Sequence, residues 1–380
     1  MFLLSSLSLL LTFLVGEASA SYRDLGIPAS SSTVEVRVFN VQNVTLIDEA
    51  HTFIHPIVPG HETSSFTDHA FLVDHKESQK RILIDLGFRK DVLNYAPSIT
   101  PFFTSGVVQI ESLANDITDL LRDGGISLES IDAVIWSHTH FDHIGDMSKF
   151  PNSTRLVIGS ETDTSTFPTF PNATLQESDL AGREIVKVNF TTAKLNFRGL
   201  KAVDYFGDGS LYLLNTPGHL PGHMSALARV TPTSFVLVGG DVFHYAGQIR
   251  PRPAFQMNFP CPAHLLEETK SSISTDYFWS PHSEDGVFDL SSRAQQLLAV
   301  SDTPDTFYAA PVTAQVSVDK VAAFDADPDV FVLVAHDASL RSSLPHFPAS
   351  LNNWQAIQLK EKTVWNFVNK TNPGFVFGPM

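Results

Sequence analysis

The stretch "IWSHTHFDHIGD", from Ile135 to Asp146, places three histidines and two aspartates directly after an apolar run. The preceding residues, "IDAVIW", predict a buried strand that ends where these polar side chains begin. Burying so many polar groups without partners would cost several kcal/mol for each group. The pattern therefore favours metal binding over an ordinary polar turn for His138, His140, Asp142 and His143.

Three further apolar runs stop in the same way, with a histidine or an aspartate at or close after the end: "LYLLNTPGH", "SFVLVGGD" and "FVLVAHD". If these strands are aligned in sheets, their ends meet at one edge. That edge would collect five imidazoles and two carboxylates, a nitrogen and oxygen set suited to zinc and related divalent ions. The set is too large for one tetrahedral ion and fits two, with Asp241 or Asp142 as a shared ligand. The predicted ligands are His138, His140, Asp142, His143, His219, Asp241 and His336.

Composition excludes several classes of function. The chain has 380 residues, of which 43% are hydrophobic and 17% charged, as in an ordinary globular protein. Its formal net charge is −16, which argues against nucleic acid as a partner, because such binding depends on Lys and Arg. No basic run is present either, so an anionic membrane surface is not expected as a partner of the mature protein. A small-molecule substrate remains, and the oligomeric state is left open.

The first 20 residues have the features of a secretory signal peptide. An apolar segment from about Leu7 to Val15 is followed by Ala18-Ser19-Ala20, an A-x-A cleavage pattern, although no Lys or Arg precedes it. The alternative is an uncleaved hydrophobic arm. N-x-S/T sequons favour export as a glycoprotein into the secretory lumen or the medium. They begin at Asn43, Asn152, Asn172, Asn189 and Asn369.

Hydrophobic periodicity predicts one mixed α/β domain over residues 21–380. Thr33–Val41 alternates as a half-buried strand does, and "HAFLVDH" with "RILIDLG" predicts a hairpin. Apolar residues from Ile110 to Leu121 have helical spacing, and Gly124 with Gly125 supplies the stop. "MSALARV" and "SFVLVGGD" predict another strand pair. Helices are predicted near Phe288–Leu298 and Val318–Phe324.

These motifs resemble those of the metallo-β-lactamase superfamily. His138 to His143 matches its H-x-H-x-D-H motif, and "TPGHLPGHMS" (Thr216–Ser225) is similar to the lactonase branch, which includes acyl-homoserine lactonases. "GGDVFH" and "VLVAHD" look like fungal relatives that open small lactones or lactams. The resemblance implies an αββα sandwich of two mixed β-sheets flanked by helices. It covers about Phe71 to Asp337.

The resemblance also assigns roles to the predicted ligands. It implies that His138, His140 and His219 bind one metal ion, that Asp142, His143 and His336 bind a second, and that Asp241 bridges them. Two zinc ions would lower the pKa of a shared water towards about 7, so that the metal-bound hydroxide attacks a carbonyl. Asp142 would pass a proton to the leaving group. His223 would lie beside the ligands, and Asp85 would support them from behind.

One position departs from the acyl-homoserine lactonases. Those enzymes have a carbonyl-polarising tyrosine three residues after the bridging aspartate, whereas this chain has His244 followed by Tyr245. Either residue is a candidate for that role. The departure argues against a signalling lactone as the substrate.

The expected activity is the opening of a small cyclic ester or amide. A thioester hydrolase, similar to glyoxalase II or to polyketide-releasing relatives, is the alternative enzyme, and an inactive secreted binding protein is the non-enzymatic one. Residues 92–107 and 244–262 are aromatic and loop-like, and they are candidates for the walls of an apolar pocket. The alternative is that their phenylalanines cover the core. Arg250 and Arg252 are candidates for pairing with a substrate carboxylate. Cys261 is expected to be a buried hydrophobe rather than a nucleophile.

Overall fold

The computed structural model of the chain describes residues 21–273 and 295–377. The predicted signal peptide, residues 1–20, lies outside the described residues. Among those described, none of the helices combines the length and the apolar composition needed to cross a bilayer.

Most strands belong to two mixed sheets. In chain order the strands are β1 (Glu35–Leu46), β2 (Ile54–His55), β3 (Ser64–His75), β4 (Lys80–Ile84), β5 (Val108–Ile110), β6 (Ala133–Ile135), β7 (Arg155–Gly159), β8 (Thr166–Phe167), β9 (Leu175–Gln176), β10 (Ile185–Val188), β11 (Leu195–Phe197), β12 (Leu200–Asp204), β13 (Leu211–Asn215), β14 (Met224–Arg229), β15 (Phe235–Val238), β16 (Ala299–Val300) and β17 (Val330–Leu333). The first sheet has the order β10-β7-β6-β4-β3-β1-β5, and the second has β11-β12-β13-β14-β15-β17. The predicted hairpin is β3–β4, and the predicted pair of strands is β14–β15; both are antiparallel.

Short helices cover the outer faces of the sheets. The α-helices are α1 (Thr100–Thr104), α2 (Ile117–Asp123), α3 (Phe141–Ile144), α4 (Glu177–Leu180), α5 (Pro253–Asn258), α6 (Ala263–Thr269), α7 (Pro311–Ala326) and α8 (Leu359–Thr363). Single 3₁₀ turns occur at Tyr22–Leu25, Ala50–Thr52, Val92–Asn94, Leu128–Ser130, Met147–Lys149, Phe190–Thr192, Ala246–Gln248, Ala338–Leu340 and Asn366–Val368.

Alternating side chains explain the layered arrangement. In β4, Ile82 and Ile84 point into the core between the sheets, whereas Leu83 belongs to a second core on the outer face. That outer core includes Leu121 of α2. A third core packs α7 against the outer face of the second sheet, through Val318 and other residues. This is the predicted αββα sandwich, and its central strands are nearly continuous apolar runs because both of their faces are buried.

Two of the helix predictions need correction. The helix expected from Ile110 begins only at Ile117, because Val108–Ile110 pairs with β1 as strand β5. Asp116 accepts the backbone N–H of Thr118 and caps the helix there. The helix predicted around Val318–Phe324 is confirmed within α7. Residues 288–294 of the other predicted helix lie outside the described residues, and 295–298 are not helical.

Two buried cations attach the C-terminal segment to the second sheet. Lys360 of α8 is fully buried and donates to the carbonyl oxygens of Asp325, Asp327 and Val330, at 2.6, 2.8 and 2.6 Å. Arg250 forms a bidentate pair with Asp325, with both N···O distances 2.8 Å. Arg250 also donates to the carbonyl oxygen of Val364 in the C-terminal segment, at 3.0 Å. The contacts of Lys360 satisfy backbone carbonyls where α7 turns into β17.

Candidate metal centre

The predicted ligands lie at the carboxyl ends of strands from both sheets. The segment after β6 carries the H-x-H-x-D-H motif, with His138 and His140 in the loop and Asp142 and His143 in α3. The segments after β13, β15 and β17 carry His219, Asp241 and His336. Gly240 allows the second sheet to approach the first, because a Cβ there would lie 2.7 Å from Cβ of Ser137. Its φ of 57° is also in the left-handed region that favours glycine.

Three imidazoles form the first group of candidate metal ligands. Nδ1 of His140 lies 2.9 Å from Nε2 of His138 and 2.8 Å from Nε2 of His219. Burial lowers the pKa of His138 and His140 well below the usual value, and it lowers the pKa of His219 to about 4. These rings are therefore neutral at pH 7, the state in which imidazole binds a metal ion.

The second group consists of Asp142, His143 and His336. The Nε2 atoms of the two histidines are 3.2 Å apart, and Oδ2 of Asp142 lies 3.4 Å from Nε2 of His336. Burial lowers the pKa of both histidines, but neighbouring carboxylates more than offset it. Asp241 is the carboxylate with the largest effect. The pKa of His143 is raised well above the usual value, and the pKa of His336 rises to about 9.

Asp241 lies between the two groups and faces each with a different oxygen. Its Oδ2 is 3.6 Å from Nε2 of His138 and 3.4 Å from Nε2 of His219. Its Oδ1 is 3.2 Å from Nε2 of both His143 and His336. This is the arrangement expected of a carboxylate shared between two cation positions.

The donor set fits divalent metal ions. Each group offers ligand atoms that lie within 4.8 Å of one another. Oδ1 of Asp241 is buried and accepts no hydrogen bond of acceptable geometry from a described residue, so its lone pairs remain available. Nitrogen and carboxylate ligands without thiolate favour zinc or a similar ion in an open site. Cys261 takes no part, because it packs in the core formed with the C-terminal segment, where burial raises its pKa to about 12.

Two residues behind the ligands hold them in place. Asp85 accepts a hydrogen bond from Nδ1 of His143 at 2.8 Å, and its carboxylate also accepts the N–H and the hydroxyl of Ser137. With Nδ1 engaged in this way, Nε2 of His143 is directed to the site. His223 accepts the backbone N–H of Asp241 at 3.1 Å through its Nε2. Both contacts agree with the supporting roles predicted for Asp85 and His223.

We expect Asp85→Ala to weaken the binding of divalent metal by about 10- to 100-fold, because His143 loses the partner that orients it. The measurement is the dissociation constant for zinc, determined by competition with a chromogenic chelator. Asp123→Ala is a suitable control, since Asp123 is exposed at the end of α2. Equal affinity in the two variants would contradict the orienting role of Asp85.

His244 faces the ligands, whereas Tyr245 does not. Nε2 of His244 lies 3.2 Å from Oδ2 of Asp241, and Nδ1 lies 2.7 Å from the hydroxyl of Tyr308. Gln248 donates to the same hydroxyl at 3.3 Å, which leaves the phenol proton for Nδ1 of His244. His244 can then present its Nε2–H to the site. The ring of Tyr245 packs instead against Phe66 in the core formed with the C-terminal segment, outside the lining of the pocket.

An apolar pocket opens directly above the metal ligands. It encloses about 610 Å³, its solvent-open mouth included, and its wall contains His140, Asp142, Asp241, His244 and His336. The remainder of the wall is almost entirely hydrophobic, and no Lys or Arg of the described residues belongs to it. The aromatic residues in the wall are Phe53, Phe66, Phe88, Phe102, Phe141 and Phe307.

The two segments predicted to line the pocket differ in how much they contribute to its wall. Residues 92–107 contribute Phe102 and Val107 to the wall. Of residues 244–262 only His244 does so, because the other aromatic residues there pack into the core formed with the C-terminal segment. The suggestion that Arg250 and Arg252 bind a substrate carboxylate is wrong. Arg250 is buried against Asp325, and Arg252 pairs with Asp319 at 2.7 Å.

Sequence reasoning missed Tyr308, Gln248 and the aromatic wall contributed by Phe53 and Phe307. Tyr308 and Phe307 come from a region between Pro251 and Val330 with weak periodicity, and Phe53 follows an isolated 3₁₀ turn. Residues in irregular segments have no sequence period that marks the direction of the side chain. In the sequence, nothing distinguishes these aromatic residues from core phenylalanines.

Comparison with known proteins agrees with this geometry. Residues 66–281 match the family model described as the metallo-beta-lactamase superfamily. The chain is 34% identical over 361 residues to gamma-lactamase FDB1 of Fusarium pseudograminearum, covering 91% of this chain and 84% of that protein. It is 38% identical over 354 residues to the cytochrome P450 monooxygenase mpaDE of Penicillium brevicompactum. That match covers 90% of this chain but only 38% of mpaDE.

A solved structure shows the same fold at lower sequence similarity. It is a mutant of AiiA from B. thuringiensis with N-decanoyl-L-homoserine bound at the active site. The TM-score is 0.52 at 16% sequence identity, and the alignment covers 84% of this chain and 99% of AiiA. At this identity the similarity concerns the fold alone.

Proposed function

The chain belongs to the metallo-β-lactamase superfamily, and we propose that it is a metal-dependent hydrolase that opens a small cyclic amide or ester. The observation that carries the proposal is the position of Asp241, whose two oxygens face two groups of ligands at the floor of an apolar pocket. The gamma-lactamase name of FDB1 supports a cyclic amide as the substrate. Hydrolysis adds water across the acyl bond, with hydroxide on the carbonyl carbon and a proton on the leaving nitrogen or oxygen.

The proposed cofactor is two divalent ions, for which zinc is the best match to the imidazole and carboxylate ligands. Bound in the two groups, such ions supply a nucleophilic water at neutral pH and polarise a carbonyl. His138, His140 and His219 would hold one ion, Asp142, His143 and His336 the other, and Asp241 both. Elemental analysis of purified protein tests this: about two equivalents of metal support it, and well under one equivalent after reconstitution contradicts it.

Two residues of the pocket wall have further roles in the proposed reaction. Asp142 belongs to the wall, with its side chain 20% exposed, so it can meet the leaving group and deliver a proton. His244, held by Tyr308, can donate from Nε2 to the developing oxyanion. Within the described part of the chain, neither serine nor cysteine contributes to the wall, so the water itself is the expected nucleophile.

We expect a lactam or lactone ring to be opened faster than a matched open-chain amide or ester. A ring holds its acyl and leaving groups in one rigid unit, so less rotational freedom is lost on reaching the reactive geometry. The measurement is kcat/KM for ring and chain pairs with leaving groups of similar pKa. A thioester that exceeds every cyclic substrate by tenfold, about 1.4 kcal/mol of barrier, would overturn this function in favour of thioester hydrolysis.

We also propose that the protein is exported and glycosylated. The support is the A-x-A site that ends at Ala20, together with three exposed sequon asparagines, Asn152, Asn172 and Asn189. Expressed in a fungal host, the secreted protein should begin at Ser21 and lose mass on treatment with an N-glycosidase. An intact Met1 with no mass shift would contradict both parts. Asn152→Gln and Asn172→Gln should each remove one glycan.

A further inference from the structure

One carboxylate lies in the otherwise apolar upper wall of the pocket. Glu49 is half-buried and contributes to the wall together with Phe53 and Phe307. Within the described part of the chain its carboxylate has neither a hydrogen-bond nor an ion-pair partner. Its backbone carbonyl, in contrast, accepts both the N–H and the hydroxyl of Thr52, at 3.0 and 2.7 Å. The carboxylate of this lining residue is therefore available to pair with a bound molecule.

The segment that carries this carboxylate is held firmly. Phe307 donates its N–H to the carbonyl of Thr52 at 3.1 Å, and Gln248 donates to the carbonyl of Phe53 at 3.1 Å. Glu49, Phe53 and Phe307 are therefore parts of one hydrogen-bonded unit that also reaches His244 through Gln248. The backbone from which the Glu49 side chain extends is therefore held in place before a substrate binds.

The aromatic rings beside Glu49 favour a flat substrate. Phe53 and Phe307 are stacked, with ring centroids 5.0 Å apart and planes 7° from parallel. Phe102 is also part of the wall, with its ring centroid 6.4 Å from that of Phe307 and its plane tilted by 44°. Aromatic faces pack well against planar rings, and they also attract cations. A positively charged group near Glu49 would meet both the carboxylate and these faces.

From this arrangement we propose that Glu49 selects substrates by charge: the preferred substrate is an aryl-fused lactam or lactone with an ammonium or strong N–H donor remote from the scissile bond. A substrate without a donor would bury the carboxylate unpaired, which is unfavourable. A substrate carboxylate would be repelled, because no Lys or Arg of the described residues lines the pocket to offset Glu49. This inference rests on the proposed ring-opening function and specifies its substrate class.

The test compares three benzo-fused γ-lactams that carry an aminomethyl, a methyl or a carboxylate group at the same position of the benzene ring. For the metal-loaded wild type we expect kcat/KM to fall in that order, with about a hundredfold difference between the first and the last. Glu49→Gln keeps the shape of the side chain and removes its charge, so it should reduce this ratio at least tenfold. Because the ratio is compared between variants, intrinsic differences in reactivity cancel.

Glu361→Gln is the matched control, since Glu361 is an exposed carboxylate on α8 outside the pocket. It should leave the ratio unchanged, and thermal unfolding should show both variants folded. A ratio that changes less than threefold in Glu49→Gln, or equally in Glu361→Gln, overturns the inference. The inference is also overturned if the carboxylated ring is the best substrate of the wild type.

Equilibrium binding of the same three compounds to metal-free protein, by saturation-transfer NMR, gives a readout that does not need turnover. If no ring is opened but the binding order is found and is lost in Glu49→Gln, the proposed hydrolysis fails and the charge selection stands. If the rings are opened without any order of charge, the charge selection alone fails.

Discussion

Replacing Asp241 with alanine is expected to abolish hydrolysis, with kcat/KM falling by on the order of 10⁴-fold, about 5.5 kcal/mol of barrier. Both groups of ligands depend on this carboxylate, since Oδ2 faces one and Oδ1 the other. If two cations bind as proposed, they would lose the anion between them, and the distance that separates them would no longer be fixed. The measurements are turnover of a cyclic substrate and metal content after gel filtration.

His223→Ala is the comparison for Asp241→Ala. His223 contacts the backbone N–H of Asp241 rather than a predicted metal position, with its Nδ1 engaged by the carbonyl oxygen of Thr216 at 2.7 Å. This variant should keep its metal and lose activity only partly. Loss of metal from His223→Ala, together with full metal in His219→Ala, would reverse the roles of the two histidines.

Lys360→Met is expected to lower the free energy of unfolding by about 3–5 kcal/mol. The ammonium is fully buried and donates to three carbonyl oxygens between Asp325 and Val330, and an apolar side chain of similar length would remove all three hydrogen bonds. The carbonyl of Asp327 would keep its second donor, the N–H of Val330. Urea denaturation followed by tryptophan fluorescence measures the change. Lys362→Met serves as control, because Lys362 is exposed and donates to a single carbonyl. A loss below 1 kcal/mol would mean that the carbonyls find other partners.

The sequence predicts the floor of the site better than its walls. The predicted ligands follow apolar strands that can be recognised in the sequence. It could therefore be inferred from the sequence that the ends of these strands lie at a shared edge. Asp241 and His336 illustrate this, because each follows the end of a strand in a parallel pair. The position of each ligand is then fixed by the register of that pair.

The walls of the pocket are formed by irregular segments, in which two adjacent side chains can face quite different surroundings. His244 and Tyr245 are adjacent, yet one faces Asp241 and the other enters a core. The partner that decides this, Tyr308, is 64 residues further along the chain. The late start of α2 has a similar cause, since the pairing of β5 with β1 overrides a helical period that is genuinely present.

The predicted metal ligands come from two different sheets, and this affects the stability of the protein against unfolding. Four lie in the loop and helix α3 that follow β6 of the first sheet, and the other three follow strands of the second. An ion bound among them acts as a cross-link between the layers that only the native state can form. At a free ion concentration of 100 times the dissociation constant, each such link adds about 2.7 kcal/mol to the free energy of unfolding. The melting temperature should accordingly follow the supply of metal in the surroundings, and a chelator should act on this protein as a mild denaturant.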